Sequence, residues 1–114
     1  MDLRDAILQA SDIKTEKMKV PEWKVTIGIK EATMKEANDA RKISEVDGEV
    51  DTDKLTIEMF LTCVVTPGTS DPIFKREDIK ALEGKGFEVM DRVMTAIMKL
   101  NGQGEPELKA AVKN

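Results

Sequence analysis

Along the chain the spacing of apolar residues switches repeatedly between a helical period and a strand period. Leu3, Ala6, Ile7 and Ala10 follow the i, i+3, i+4, i+7 spacing of one helix face, with Asp2 placed to cap it and Ser11-Asp12 placed to end it. From Thr15 the period becomes two. Met18 and Val20 alternate with Lys17 and Lys19, Pro21-Glu22 interrupts, and Trp23, Val25, Ile27 and Ile29 alternate with Lys24, Thr26, Gly28 and Lys30. This predicts two strands joined around Pro21. An isolated hairpin is marginal in water, so its apolar face requires cover from a helix or another subunit.

Thr33 and Glu36 form a T-x-x-E capping box, which predicts a helix over 34–46 with a weak apolar face, stopped by Asp47-Gly48. Asp51, Thr52 and Asp53 offer caps for the next helix, 54–66. Its Leu55, Ile57, Met59, Phe60, Leu61, Cys63, Val64 and Val65 make it apolar nearly all round and therefore the most buried. Pro67-Gly68 ends it. A short helix over 75–82 follows, and Gly84-Lys85-Gly86 breaks or kinks the chain before a helix over 87–100. That last helix puts Phe87, Met90, Val93, Met94, Ile97, Met98 and Leu100 on one broad face, and Asn101-Gly102 closes it. The expectation is an α+β fold, a small helix-dominated domain with one two-stranded β-hairpin near the N-terminus, spanning 1–102. The segment 103–114 is expected to be a mobile tail with at most one helical turn around Leu108.

Composition narrows the chemistry. At 114 residues the chain is the size of one domain. Aromatics make up 4% of it, so the core is filled by aliphatic residues and seven Met, an adaptable filling. The 18 basic and 22 acidic residues give a net charge of -4, a balance that attracts neither nucleic acid nor an anionic membrane. The first ten residues carry acids and lack a long apolar run, unlike a secretory signal, and no stretch reads as a membrane span. Histidine is absent, which removes the commonest general base and metal ligand, and Cys63 stands alone in an apolar helix, where a thiol is buried and inert. Asp47, Glu49, Asp51 and Glu58 have the spacing of a calcium loop, but its glycine position falls on Thr52 and its apolar position on Lys54. Gly84-Lys85-Gly86 is too short a glycine frame to cradle a phosphate, and Phe87 follows where Ser or Thr is needed. No catalytic, cofactor-binding or metal-ligating set emerges.

The remaining candidates are partner-binding residues: Trp23 on the hairpin, and Phe87, Met90, Met94 and Met98 on the last helix. Thioethers suit a surface that accepts varied apolar partners, and the same row serves equally as core. Each four-residue step turns about 40 degrees beyond a full turn, so the Met90, Met94, Met98 row drifts, and Met98 is expected to be its most exposed member and to contact the partner.

Read in order, the chain has Val20-Pro21-Glu22-Trp23, a Val25-Thr26-Ile27-Gly28-Ile29-Lys30 strand and a capped polar helix. An apolar helix, Asp71-Pro72-Ile73-Phe74, a helix ending at Leu82 and an amphipathic helix ending Leu100-Asn101-Gly102 complete it. Over 13–102 this order resembles the tail assembly chaperone family of long-tailed bacteriophages. The resemblance implies a non-enzymatic protein of the infected bacterial cytoplasm, absent from the mature virion. It also implies two partners: the tape measure protein, which it binds and keeps soluble, and the tail tube protein, whose polymerisation around the tape measure it promotes. Many members are also made as a longer, frameshifted product. The apolar faces of the hairpin and last helix add the expectation of a homo-oligomer. An alternative that the residues leave open is a small acidic adaptor or anti-regulator that sequesters a single protein partner through the last helix.

Overall fold

A computed structural model describes residues 2–102. The expectations for the 103–114 tail, including the turn around Leu108, lie outside the described residues. Helix α1 (Leu3–Gln9) is capped by Asp2, whose carboxylate accepts a hydrogen bond from the Asp5 N–H at 2.8 Å. Strand β1 (Thr15–Val20) and strand β2 (Val25–Lys30) pair antiparallel, from Thr15 opposite Lys30 to Val20 opposite Val25. Between them Pro21–Trp23 forms one 3₁₀ turn, and Lys24 closes it in the left-handed region at φ 58°, its N–H donating to the Pro21 carbonyl at 3.0 Å. Trp23 therefore sits in the turn and not in the strand.

Helix α2 (Met34–Ile43) begins with the capping box that the sequence predicts, Thr33 and Glu36 each bonding the other's backbone N–H. It ends three residues earlier than the expected Val46. Ser44, fully buried, turns the chain out of the helix with its hydroxyl on the Ala40 carbonyl at 2.7 Å. Asp47-Gly48 is not a helix stop: both residues have positive φ, 53° and 82°, and form the two-residue turn of a second hairpin, β3 (Glu45–Val46) and β4 (Glu49–Val50). A turn with φ > 0 at both positions matches the twist of the strands it joins, and Asp-Gly is among the pairs that supply it at least cost.

Helix α3 (Thr52–Cys63) is capped by Asp51 and stops short of the expected 66. Val64–Val65 instead form strand β5, which pairs antiparallel with β2, Gly28 opposite Val65 and Ile29 opposite Val64. The sheet thus has three strands in the order β1-β2-β5, where the sequence predicts the hairpin alone. Two features favour the strand: β-branched side chains suit a pleated surface, and Pro67 is close enough to discourage a continuing helix. Gly28 makes room for it, because a Cβ there would meet Val65 Cγ2 and O at 3.0 Å and Pro67 Cα at 3.2 Å. The 75–82 helix resolves into a 3₁₀ turn, Arg76–Asp78, running into helix α4 (Ile79–Glu83). Helix α5 (Phe87–Leu100) has the predicted bounds.

Helices α3 and α5 pack on one another and on β2, and α2 packs on α3. The core between them contains Val20, Ile29, Phe60, Val64, Val93 and Ile97, all fully buried. Phe60 is the largest of these, and its ring lies 5.6 Å from that of Phe74, tilted by 31°. Lys30, almost fully buried at the end of β2, reaches Glu36 of α2 at 2.6 Å. Burial alone would raise the Glu36 pKa, but the bonds from Lys30 and Thr33 outweigh it and hold the carboxyl below its ordinary value. The class is α+β, with five α-helices, a three-stranded antiparallel sheet and the two-stranded β3–β4 hairpin among the described residues.

Candidate functional site

Helix α5 turns its Val93, Met94 and Ile97 into the core and leaves the flanks of that face partly open. Met90 and Met98 are half-buried, Met94 is 9% exposed, and Phe87, at the first helical position, is 84% exposed. Within the Met90, Met94, Met98 row the middle member is therefore the most buried, and Phe87, one turn before the row, is more exposed than any of the three. Phe87, Met90, Met94 and Met98 share one wall of an open groove of about 410 Å³, whose floor is Phe60 and whose far side is Ile57 of α3 and Leu82 of α4.

Trp23 does not join them. It lines a second groove of about 500 Å³ at the turn end of the hairpin, with Val25 and Ile27 of β2, Ile73, Phe74 and Leu82. Leu82 and Lys85 line both grooves, so the α4–α5 junction is the ridge that separates them. The five residues singled out from the sequence thus fall on two adjacent apolar surfaces. Sequence reasoning missed Ile73, Phe74 and Val25 as lining residues; the Asp71-Pro72 turn preceding two large apolar residues was the available signal. Phe74 is positioned by the chain beyond β5, where the Ile73 N–H donates to the Val64 carbonyl at 3.1 Å and Val65 bridges to Pro72.

Ion pairs brace the frame around the grooves. Arg92 of α5 donates to both carboxylate oxygens of Glu22, at 3.0 and 2.6 Å, which ties the Trp23 turn to the last helix. These bonds, helped by a backbone N–H, pull the Glu22 pKa from 4.5 to about 2. Arg76 grips the nearly buried Glu58 in the same bidentate way, at 2.8 and 2.6 Å. Glu58, the last acid of the calcium-like spacing, is thereby committed to an arginine. Cys63 is fully buried, and burial pushes its thiol up to about 11, against the pull of nearby Lys30. The grooves themselves carry few charges: Lys85 on the ridge, Glu83 and Asp91 on the methionine side. Such surfaces are suited to burying apolar side chains of a partner.

The fold is similar to that in the structure of the bacteriophage HK97 tail assembly chaperone, with a TM-score of 0.55 and 16% sequence identity. The likeness covers 77% of this chain and 85% of that chain. No protein-family profile matches the sequence, and no curated protein matches it. At this identity the likeness concerns the path of the backbone. The chain has a tail assembly chaperone-like fold.

Proposed function

We propose that this chain is a phage tail assembly chaperone, which binds the tape measure protein, keeps it soluble and promotes polymerisation of the tail tube protein around it. The observation that carries the reading is a tail assembly chaperone-like fold with adaptable apolar grooves open on its surface. A tape measure is long and helical, so its apolar stripe needs cover until tube subunits replace that cover. The methionine-lined groove supplies it. Unbranched thioethers repack around side chains of different shape, which suits a partner that presents many non-identical turns. Net charge -4 keeps the coated complex dispersed. The work is done by reversible burial, without bond making or breaking, by a self-associating protein in the cytoplasm of the infected host and outside the mature virion.

Co-expression with a tape measure fragment tests the reading. The chain should raise the soluble fraction of the fragment and co-purify with it at many copies per fragment. A fragment that stays insoluble rejects the proposal. Tight one-to-one binding to a single defined protein would instead favour an adaptor.

A further inference from the structure

The walls of the methionine-lined groove are helices throughout. Apart from Lys85, at the junction of α4 and α5, every lining residue belongs to α3, α4 or α5. Backbone groups within a helix bond one another, so between the helix ends these walls present side chains and no free N–H or C=O. An extended segment pressed into such a groove would bury backbone groups without partners, whereas a helix brings its own already paired. The α5 wall sets the length. From Phe87 to Met98 it rises roughly 16 Å, about three turns, and Met90, Met94 and Met98 follow one another at four-residue steps. A second helix carries rows of the same spacing, and such rows interdigitate. A narrower cavity of about 60 Å³, lined by Met59, Met94, Ile97 and Met98 among others, continues the seam between α3 and α5.

Charge decides what borders the apolar stripe of that helix. Glu83 on the α4 side and Asp91 on the α5 side are exposed at the rims of the groove. Neither belongs to an ion pair among the described residues. Arg92, next to Asp91, is turned to Glu22 and Glu88, and Arg76, which lies with Lys54 beyond Glu83, is held by Glu58. Against these two acids stands Lys85 alone, which leaves the rims negative. We infer that the segments this groove takes are amphipathic helices of about three turns whose apolar stripe is bordered on both sides by lysine or arginine. The inference rests on the chaperone reading and specifies the chemistry of the tape measure turns that the groove covers. The aliphatic stem of a bordering lysine or arginine lies along the apolar wall while its charge reaches the rim carboxylate, so the border adds contact as well as attraction. Stripes bordered by acids are repelled by the same two carboxylates.

Peptide binding to the full-length chain, read by fluorescence anisotropy, tests this. Two peptides of about 18 residues, long enough to hold a helix in water, share one stripe of leucine and methionine and differ only in its borders, lysine in one and glutamate in the other. The lysine-bordered peptide should bind roughly tenfold or more tightly, by a margin that shrinks with added salt. A central proline pair, which breaks the helix, should remove its binding. Glu83→Gln with Asp91→Asn should erase the preference, and Glu83→Lys with Asp91→Lys should reverse it. Both positions are exposed, so both variants should melt within a few degrees of the wild type. Equal binding of the two peptides, a proline-containing peptide that binds as tightly, or a preference that survives neutralisation of the two acids overturns the inference. Binding of neither peptide overturns it too; sedimentation and removal of residues 103–114 then show whether a second copy or the chain's own C-terminal segment fills the groove. Solubilisation of a tape measure fragment is scored separately. A chain that solubilises the fragment without preferring lysine borders keeps the chaperone reading and loses this inference. One that prefers lysine borders but leaves the fragment insoluble loses the chaperone reading, and the groove's preference stands for another helical partner.

Discussion

The side-chain oxygen of Asn101 accepts a hydrogen bond from the backbone N–H of Ala32 at 2.8 Å, although the two residues lie 69 positions apart in the sequence. The Asn101 amide group donates in turn to the Ile97 carbonyl at 2.8 Å. One side chain thus satisfies the end of α5 and fastens it to the chain between β2 and α2. Asn101→Ala would leave a half-buried donor without a partner, at a cost of about 1 to 2 kcal/mol. Thermal unfolding should show a melting temperature lower by roughly 5 to 15 °C, the shift that such a loss produces in a domain of this size. An unchanged melting temperature would mean that water replaces the bond freely.

Gly28 faces Val65 across the β2–β5 pair with no room for a side chain. The atoms in the way include the Val65 carbonyl and Pro67 Cα, which are backbone and cannot rotate aside. Gly28→Ala should therefore push β5 away and destabilise the domain by about 1 to 3 kcal/mol, read by chemical denaturation. A neutral result would argue against the third strand.

The Glu22–Arg92 pair sets a pH dependence. The Glu22 pKa is depressed in the folded protein from 4.5 to about 2. Its contribution is fully present above pH 4.5 and is lost as pH falls toward 2, because the unfolded chain takes up the proton first. Glu36, lowered by its bonds to Lys30 and Thr33, adds loss of the same sign on acidification. Both Glu22 and Arg92 are well solvated, so the effect is small and fades with added salt. Melting curves at pH 7 and pH 3 should show Glu22→Gln losing less stability than the wild type over that interval. Equal losses would mean that the pair contributes nothing measurable.

On the α5 wall of the methionine groove, neighbouring positions should respond oppositely to the same substitution. Phe87 is exposed and Met94 is in the core. Phe87→Glu should leave stability within about 0.5 kcal/mol of the wild type while abolishing solubilisation of a tape measure fragment. Met94→Glu should unfold the domain, since the new carboxylate would be buried without a partner. If Phe87→Glu solubilises the fragment as well as the wild type, this groove is not the surface that covers the tape measure.

Much of the architecture is written in local patterns. Helix α5 carries its apolar period through fourteen residues, with glycine before it and Asn-Gly after it, and its bounds were legible to the residue. The hairpin was equally legible from its alternation around Pro21, as was the Thr33–Glu36 capping box. These signals need no information beyond a few neighbouring residues. Where two local readings compete, the pattern is silent. Val64 and Val65 extend an apolar run that suits a buried helix or a buried strand alike, and Asp47-Gly48 can end a helix or turn a hairpin.

Tertiary structure decided those cases. Val64 and Val65 become a strand because β2 lies alongside, with Gly28 open to receive them, and that neighbour is more than thirty residues away in the chain. The candidate site was legible as residue types and not as surfaces. The methionines and Trp23 mark apolar contact, but α4 and Lys85 split them between two grooves. Periodicity determines which residues share a face of an element; which face is covered, and by what, depends on contacts between elements distant in sequence. That is why the amphipathic pattern of α1 and that of α5 read alike in the chain, while α5 is packed in the core and α1 stands exposed.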